Sequence, residues 1–186
     1  MIGYDLCGSF CTHAESLKQL KNLIAAGYDV QPIVSETVYT TDTRFGTAKS
    51  LKEELEHICN RYIIHTIPDA EPLGPKISLD ALIVSPCTGN TLAKMANGIT
   101  DTAVCMAAKA HLRCDRPMIL ALASNDALSA NLKNIAIMLS RKCVYFVPMH
   151  QDDPEKKPHS LVADFSLLVP TLEAAFCGRQ CRKLFL

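Results

Sequence analysis

Ala81-Leu82-Ile83-Val84-Ser85-Pro86-Cys87-Thr88-Gly89-Asn90-Thr91-Leu92-Ala93-Lys94-Met95-Ala96 runs from an apolar stretch, through a polar turn, into a helix-like segment. A short uninterrupted apolar run suits a strand covered on both faces, as in a parallel sheet. The turn after it carries hydroxyls, a planar amide and backbone N–H groups not yet taken up by a helix. Open α/β sheets bind ligands at the carboxyl ends of their strands, in front of helix N-termini. Residues 86–91 are therefore expected to form a ligand-facing rim as well as a turn.

The same alternation extends in both directions. Residues 2–6, 30–35, 62–67, 79–85, 118–123 and 144–147 read as strands. Leu17, Leu20, Leu23 and Ile24 recur at helical spacing before Gly27, a good terminator, and Ala48, Leu51, Leu55 and Ile58 mark the apolar stripe of a helix within 47–60. Further helices are expected from Asn90 to Gly98, over 101–114 with Thr100 or Asp101 as cap, along Leu128, Leu132, Ile135 and Leu139, and near 167–176. Residues 68–76, with Pro68, Pro72, Pro75 and Gly74, are expected to be irregular. Strands separated by helices need right-handed crossovers and a parallel sheet with helices on both faces. The expected fold is one α/β domain over residues 1–186, a three-layer, doubly wound parallel sheet of the flavodoxin or Rossmann type. The polar segment 150–158 breaks the alternation and is long enough for a lid or an oligomer contact.

Composition narrows the function. A chain of 186 residues can bury about 70% of its unfolded surface without staples. Its 19 basic and 19 acidic residues cancel, and no like-charge run is longer than a pair such as Lys156-Lys157, so no footprint for nucleic acid or an anionic membrane is present. Apolar runs fall far short of the ~20 residues of a membrane span. The start, Met1-Ile2-Gly3-Tyr4-Asp5, lacks the basic and apolar regions of a secretory signal, so a cytoplasmic protein is expected. Cys7/Cys11 and Cys177/Cys181 have the spacing of one helix face, but neither pair has a His or Cys partner at zinc-like spacing. The nine cysteines read as reduced thiols with no metal site.

The residues that can carry chemistry gather at strand ends. After the first strand, Gly8 permits close backbone approach while Ser9 and Thr12 offer hydroxyls before a helix, which suits either a phosphate or a plain cap. The second strand ends at Ser35-Glu36-Thr37 and leads to Arg44, either a bidentate carboxylate clamp or a solvated loop arginine. In the 86–91 turn, Asn90 suits the edge of a heteroaromatic ring or serves as a helix cap, while Thr88 and Thr91 can bond a phosphate or cap the helix. Ser124-Asn125-Asp126 closes the fifth strand on the same rim. Neither G-x-G-x-x-G nor G-x-x-x-x-G-K-[ST] occurs.

Gly8-Ser9, the hydroxyl-rich end of the second strand, and Pro86-x-x-x-Asn90-Thr91 followed by Lys94, Ala96, Gly98 and Asp101 resemble the homo-oligomeric flavin-containing cysteine decarboxylase superfamily. Thr43-Arg44-Phe45-Gly46, Ala70-Glu71-Pro72-Leu73-Gly74-Pro75-Lys76, Ser124-Asn125-Asp126-Ala127-Leu128 and Gln151-Asp152-Asp153-Pro154 with Lys156-Lys157-Pro158 are similar to a sporulation branch of that superfamily. Members of that branch are B subunits of a synthase forming pyridine-2,6-dicarboxylate, and the likeness spans almost the whole chain. It implies FMN, its phosphate held by Gly8, Ser9 and Ser35, with Thr88, Asn90 and Thr91 around the remainder. It implies oxidation of a dihydropyridine dicarboxylate, with Arg44 and Lys76 clamping the two carboxylates and Asn125 and Asp126 ordering the far side of the pocket. It further implies a separate A subunit as partner, NADP used by the complete synthase rather than by this chain alone, homo-oligomers in trimers or multiples, and a mother-cell cytoplasm.

Two departures tell against decarboxylation. The decarboxylases carry a histidine shortly before the Asp-x-hydrophobic strand, and residues 71–79 contain none. They also carry a Met-Asn-x-x-Met-Trp-like element where this chain has Ser124-Asn125-Asp126-Ala127-Leu128-Ser129 and no tryptophan. The alternatives are a phosphopantothenoylcysteine-decarboxylase-like lyase and a non-catalytic scaffold for the A subunit. His13, His57, His65, His111, His150 and His159 read as surface or packed histidines, which leaves the general base unassigned.

Overall fold

Alternation of side chains along each strand builds two cores from one sheet. In the computed structural model, which describes residues 1–181 and 183–186, the parallel strands are β1 (Ile2–Leu6), β2 (Val30–Val34), β3 (Ala81–Thr88), β4 (Met118–Ser124) and β5 (Val144–Phe146). Leu82 and Val84 of β3 and Met118, Leu120 and Leu122 of β4 face one core, while Ala81, Ile83, Ile119 and Ala121 face the other. The first core is covered by α5 (Gly89–Ala96), α6 (Ala103–Leu112) and α7 (Leu132–Leu139). The second lies beneath α1 (His13–Ala25), α3 (Ala48–Cys59) and α8 (Leu168–Phe176). This is the expected three-layer α/β architecture. The order β2-β1-β3-β4, with β5 on the far edge of β4, is that of flavodoxin-like folds. Among the described residues no helix is long and apolar enough to cross a membrane.

Three local expectations are corrected. Residues 62–67 do not form a strand: only Ile64 bridges β2, through Val34 N to Ile64 O at 2.9 Å and Ile64 N to Pro32 O at 3.0 Å. Thr66 then caps the short helix α4 (Ile67–Ala70), with Pro68 in its first turn, where its missing N–H costs nothing. Thus part of the supposedly irregular 68–76 stretch is helical. The cap of α6 is Thr102, whose side chain accepts from Cys105 N, rather than Thr100 or Asp101.

The segment after Pro148 is a hairpin of β6 (Met149–Asp153) and β7 (Lys157–Ala163). Asp153 closes its tip by accepting from Lys156 N at 3.0 Å. β7 joins the sheet antiparallel to the last residues of β4, Ala123 opposite Val162 and Ser124 opposite Leu161. The sheet is therefore mixed, and the hairpin continues it beyond the carboxyl ends of the parallel strands.

Candidate functional site

β1 lies between β2 and β3, and the chain leaves β1 and β3 toward opposite faces, opening a crevice at their carboxyl ends. On the β1 side, Ser9 adopts the left-handed region (φ 58°, ψ 48°) and its hydroxyl donates to Ala123 O at 3.0 Å, drawing the turn across the end of β3 toward β4. A Cβ on Gly8 would touch Thr88 Cγ2 at 3.4 Å, so the two turns meet closely. Carbonyls in this turn are tied back: His13 Nε2 lies 2.8 Å from Cys7 O and 3.3 Å from Gly8 O, and Thr12 Oγ1 donates to Ser9 O at 2.9 Å. The N–H groups of Gly8 and Ser9 donate to no backbone carbonyl among the described residues. A turn with its carbonyls occupied and its amides free is a nest for an anion.

On the β3 side the register shifts between Val84 and Cys87, beside a cis Ser85–Pro86 bond. Thr88 caps α5, its Oγ1 accepting from Thr91 N at 3.2 Å and donating to Thr91 Oγ1 at 3.1 Å. Asn90 is thereby relieved of capping; its side chain is exposed and bonds to no described residue. Gly89 has no room for a side chain, since a Cβ there would fall on Ser124 Oγ and within 2.6 Å of Asn131 Nδ2. Those two groups hold Asp126, Ser124 Oγ donating at 2.5 Å and Asn131 Nδ2 at 2.9 Å. The same bonds, Ser124's first and Asn131's second, keep the Asp126 carboxyl below the usual carboxylate range. Asn134 extends the network by donating to Asn131 Oδ1 at 2.8 Å.

The other expected site residues divide. Ser35 stands at the end of β2, its N–H donating to Leu6 O at 3.0 Å and its hydroxyl accepting from Val38 N to cap α2 (Glu36–Thr40). Gly8, Ser9, Ser35, Thr88, Asn90 and Thr91 thus share the carboxyl rim of β1, β2 and β3. Arg44 lies beyond β2 in an exposed turn, stacked 4.8 Å over Phe45, and Asn125 is exposed after β4. Asp126 is engaged in the brace just described. Lys76 is not brought to this rim. Its neighbour Gly74 packs on Ala110 and Cys114 at the end of α6, and Asp80 N donates to Met1 O at 2.9 Å, so Lys76 sits at the amino-terminal edge of the sheet. Within one chain, Arg44 and Lys76 therefore lie at opposite edges of the sheet.

Beneath the rim, Asp5 is fully buried and neither carboxylate oxygen has a hydrogen-bond partner among the described residues. Burial pushes its carboxyl well above the usual carboxylate range. Burial likewise raises the Cys7 thiol to about 12, whereas Cys11 is exposed. On the opposite strand face, Tyr4 donates to Ser16 O at 2.8 Å and Ser16 Oγ donates to Ser85 O at 2.6 Å, tying α1 to the start of the 86–91 turn. In the sequence the acid shows only as one charged letter inside an apolar strand.

A cleft of about 540 Å³ adjoins the β1 turn, between the start of α1 and the start of α3. Phe10, His13, Thr43, Phe45 and Leu51 are among its walls. In sequence His13 reads as an ordinary packed residue, because nothing local shows a ring folding back onto the turn before it.

The Flavoprotein family model matches residues 5–164. The chain is 42% identical over 183 residues to the dipicolinate synthase B subunit of Bacillus subtilis strain 168, covering 98% of this chain and 92% of the relative. The crystal structure of the dipicolinate synthase B subunit from Bacillus halodurans C superposes with a TM-score of 0.91 at 41% identity, over 100% of this chain and 95% of that one. The FMN-dependent cysteine decarboxylase SpaF shares the fold, with a TM-score of 0.66 at 19% identity over 94% of this chain and 95% of that one.

Proposed function

The chain belongs to the Flavoprotein family, on the branch of the dipicolinate synthase B subunits, and from that premise we propose that it binds FMN and supports oxidation of dihydrodipicolinate to dipicolinate. One observation supports the reading: the N–H groups of Gly8 and Ser9 and the side-chain amide of Asn90 stand without a bonding partner at the carboxyl ends of the neighbouring strands β1 and β3. A phosphate suits the first group, since it accepts from backbone N–H without needing a lysine. Ser35 borders the same nest at the end of β2. Asn90 can both donate and accept at a ring edge, and Thr88 and Thr91 fix the backbone from which it projects. When bound, the flavin supplies a two-electron hydride acceptor.

Substrate contacts fall to the groups left on the rim. Arg44 offers a planar pair of donors to one carboxylate, and the exposed Asn125, at the carboxyl end of β4, offers a neutral amide. Lys76 has no part in this arrangement. The A subunit and NADP complete the synthase in this reading, with the chain working as a homo-oligomer in the cytoplasm of a sporulating mother cell.

Fluorescence titration of the purified protein with FMN is expected to show saturable quenching. Asn90→Ala is expected to weaken it roughly fivefold to tenfold, the worth of one hydrogen bond of about 1 kcal/mol. No quenching by the wild-type protein would overturn the flavin reading. Reconstitution of dipicolinate formation by the A subunit with and without this chain tests the rest; equal rates would reduce the chain to a scaffold.

A further inference from the structure

We propose that the cleft between α1 and α3 receives a planar aromatic or dihydroaromatic dicarboxylate and that His13 Nδ1 is the base that takes a ring proton from it. The inference rests on the oxidation reading above for its substrate class, and on the geometry of His13 for its chemistry.

His13 is 8% exposed and its tautomer is settled by its neighbours. Both atoms near Nε2 are carbonyl oxygens, Cys7 O at 2.8 Å and Gly8 O at 3.3 Å, which only accept. Nε2 therefore carries the hydrogen and Nδ1 the lone pair. Nδ1 bonds to no described residue and, unlike Nδ1 of His111, it is not sealed in the interior without a partner. The residue lines the cleft. Phe10 lies against the imidazole, ring centroids 4.9 Å apart, and Phe45 is 55% exposed on the facing wall, so a flat ring can enter between apolar surfaces. Arg44 does not line the cleft, but its guanidinium lies 4.8 Å over the ring of Phe45, which does.

Accepting a proton at Nδ1 leaves the Nε2–H bonds intact. The two carbonyls then face an imidazolium and stabilise it, as an orienting acceptor does for other histidine bases. In the resting state, desolvation first of all lowers the His13 pKa below its ordinary 6.5, favouring the neutral ring. The charged and titratable groups around it are Cys11 in the turn, Lys18 and Lys21 on α1, Glu54 on α3, which pairs with Lys21 at 2.9 Å, and Lys157 of β7 on the Cys11 side.

Atoms and electrons balance in the step. One ring C–H bond breaks with its electron pair leaving as hydride to an oxidised flavin or nicotinamide, which is reduced. A second ring hydrogen leaves as a proton to Nδ1, forming an N–H bond, and the pair it leaves behind closes the aromatic system.

Two measurements test this. In flavin-free protein, pyridine-2,6-dicarboxylate is expected to shift the His13 imidazole NMR signals and raise the His13 pKa, because a dianion in the cleft favours the cation. Unmoved signals at saturating ligand would overturn the cleft assignment, whether or not the protein supports oxidation. In the reconstituted synthase, His13→Gln keeps an amide donor for the Cys7 and Gly8 carbonyls but removes the base. It is expected to lower kcat about a hundredfold or more, a far larger factor than any weakening of FMN quenching. Wild-type kcat/KM should rise with pH through an ionisation of the free protein below the ordinary histidine range, and the variant should lack that limb. A variant with wild-type kcat and pH profile would overturn the base. Shifted His13 signals together with a wild type that supports no oxidation would instead keep the cleft and sink the oxidation reading.

Discussion

The two turns that face each other across the crevice are held in different ways. The β1 turn is fixed from within its own unit: His13, one turn into the chain that follows, ties down the Cys7 and Gly8 carbonyls, and Thr12 ties down that of Ser9. The β3 turn is fixed from outside, where Gly89 presses on a polar brace of Ser124, Asp126 and Asn131 that belongs to β4 and the loop before α7. A locally tied turn keeps its amides free for a ligand, and its tie can itself take part in chemistry. An externally braced turn is a fixed surface whose one free side chain, Asn90, is the part that reads the ligand. Damage to the brace should therefore cost stability first, and damage to the local tie should cost chemistry first.

Gly89→Ala should break this contrast most severely. The added methyl meets three polar atoms that already bond to one another, and overpacking of this kind costs about 1–3 kcal/mol. Urea unfolding is expected to show a lower midpoint near the top of that range, with FMN quenching weakened because the start of α5 must move. An unchanged midpoint would mean that the brace yields easily and is not what fixes the turn.

Asp126→Ala comes next, at about 1–2 kcal/mol, since it leaves Ser124 Oγ and Asn131 Nδ2 without their acceptor. Its pH dependence has a definite sign. Hydrogen bonds hold the folded carboxyl below its ordinary 3.8, so the stabilisation is complete above that value and is lost as pH falls through the lower folded one. The gap between wild type and variant should be constant at neutral pH and close in acid. A gap that widened in acid would contradict the network as drawn.

The contrast also explains what could be read from the sequence. The strand and helix units were legible because burial on both faces writes itself as apolar runs, and β1 and β2 end within a residue of the expected place; β3 instead runs on through Pro86 and Cys87 to Thr88, three residues past the expected end, because Cys87 still pairs with β4 beyond the register shift. The external brace was not legible, because Ser124, Asp126 and Asn131 acquire their meaning only when β4 is placed beside β3. Lys76 was misplaced for a topological reason. A full strand over 62–67 would have delivered the following loop to the carboxyl rim, but the chain makes a single bridge at Ile64 and turns into α4, which leads it along α6 to the other edge. The hairpin after Pro148 went unread because its first strand is polar, with His150, Gln151 and Asp152 along it, all three exposed. The cap of α5 was ambiguous between Thr88 and Asn90, two residues apart, which is the resolution limit of capping rules.

That ambiguity supplies the mildest and sharpest test. With Thr88 as the cap, Thr88→Ala removes the acceptor for Thr91 N and should cost about 1 kcal/mol, the usual worth of a threonine cap. Asn90→Ala, which removes no intramolecular bond, should leave the unfolding midpoint where it is while weakening FMN quenching. If the division of labour holds, the stability costs add in the double variant, because Asn90 contributes nothing to subtract. If Asn90 instead swings back to cap the helix once Thr88 is gone, the double variant will be less stable than the sum of the two. Super-additive loss would mean that the free amide at the crevice is a second cap in reserve, and the β3 turn would then hold itself from within, as the β1 turn does.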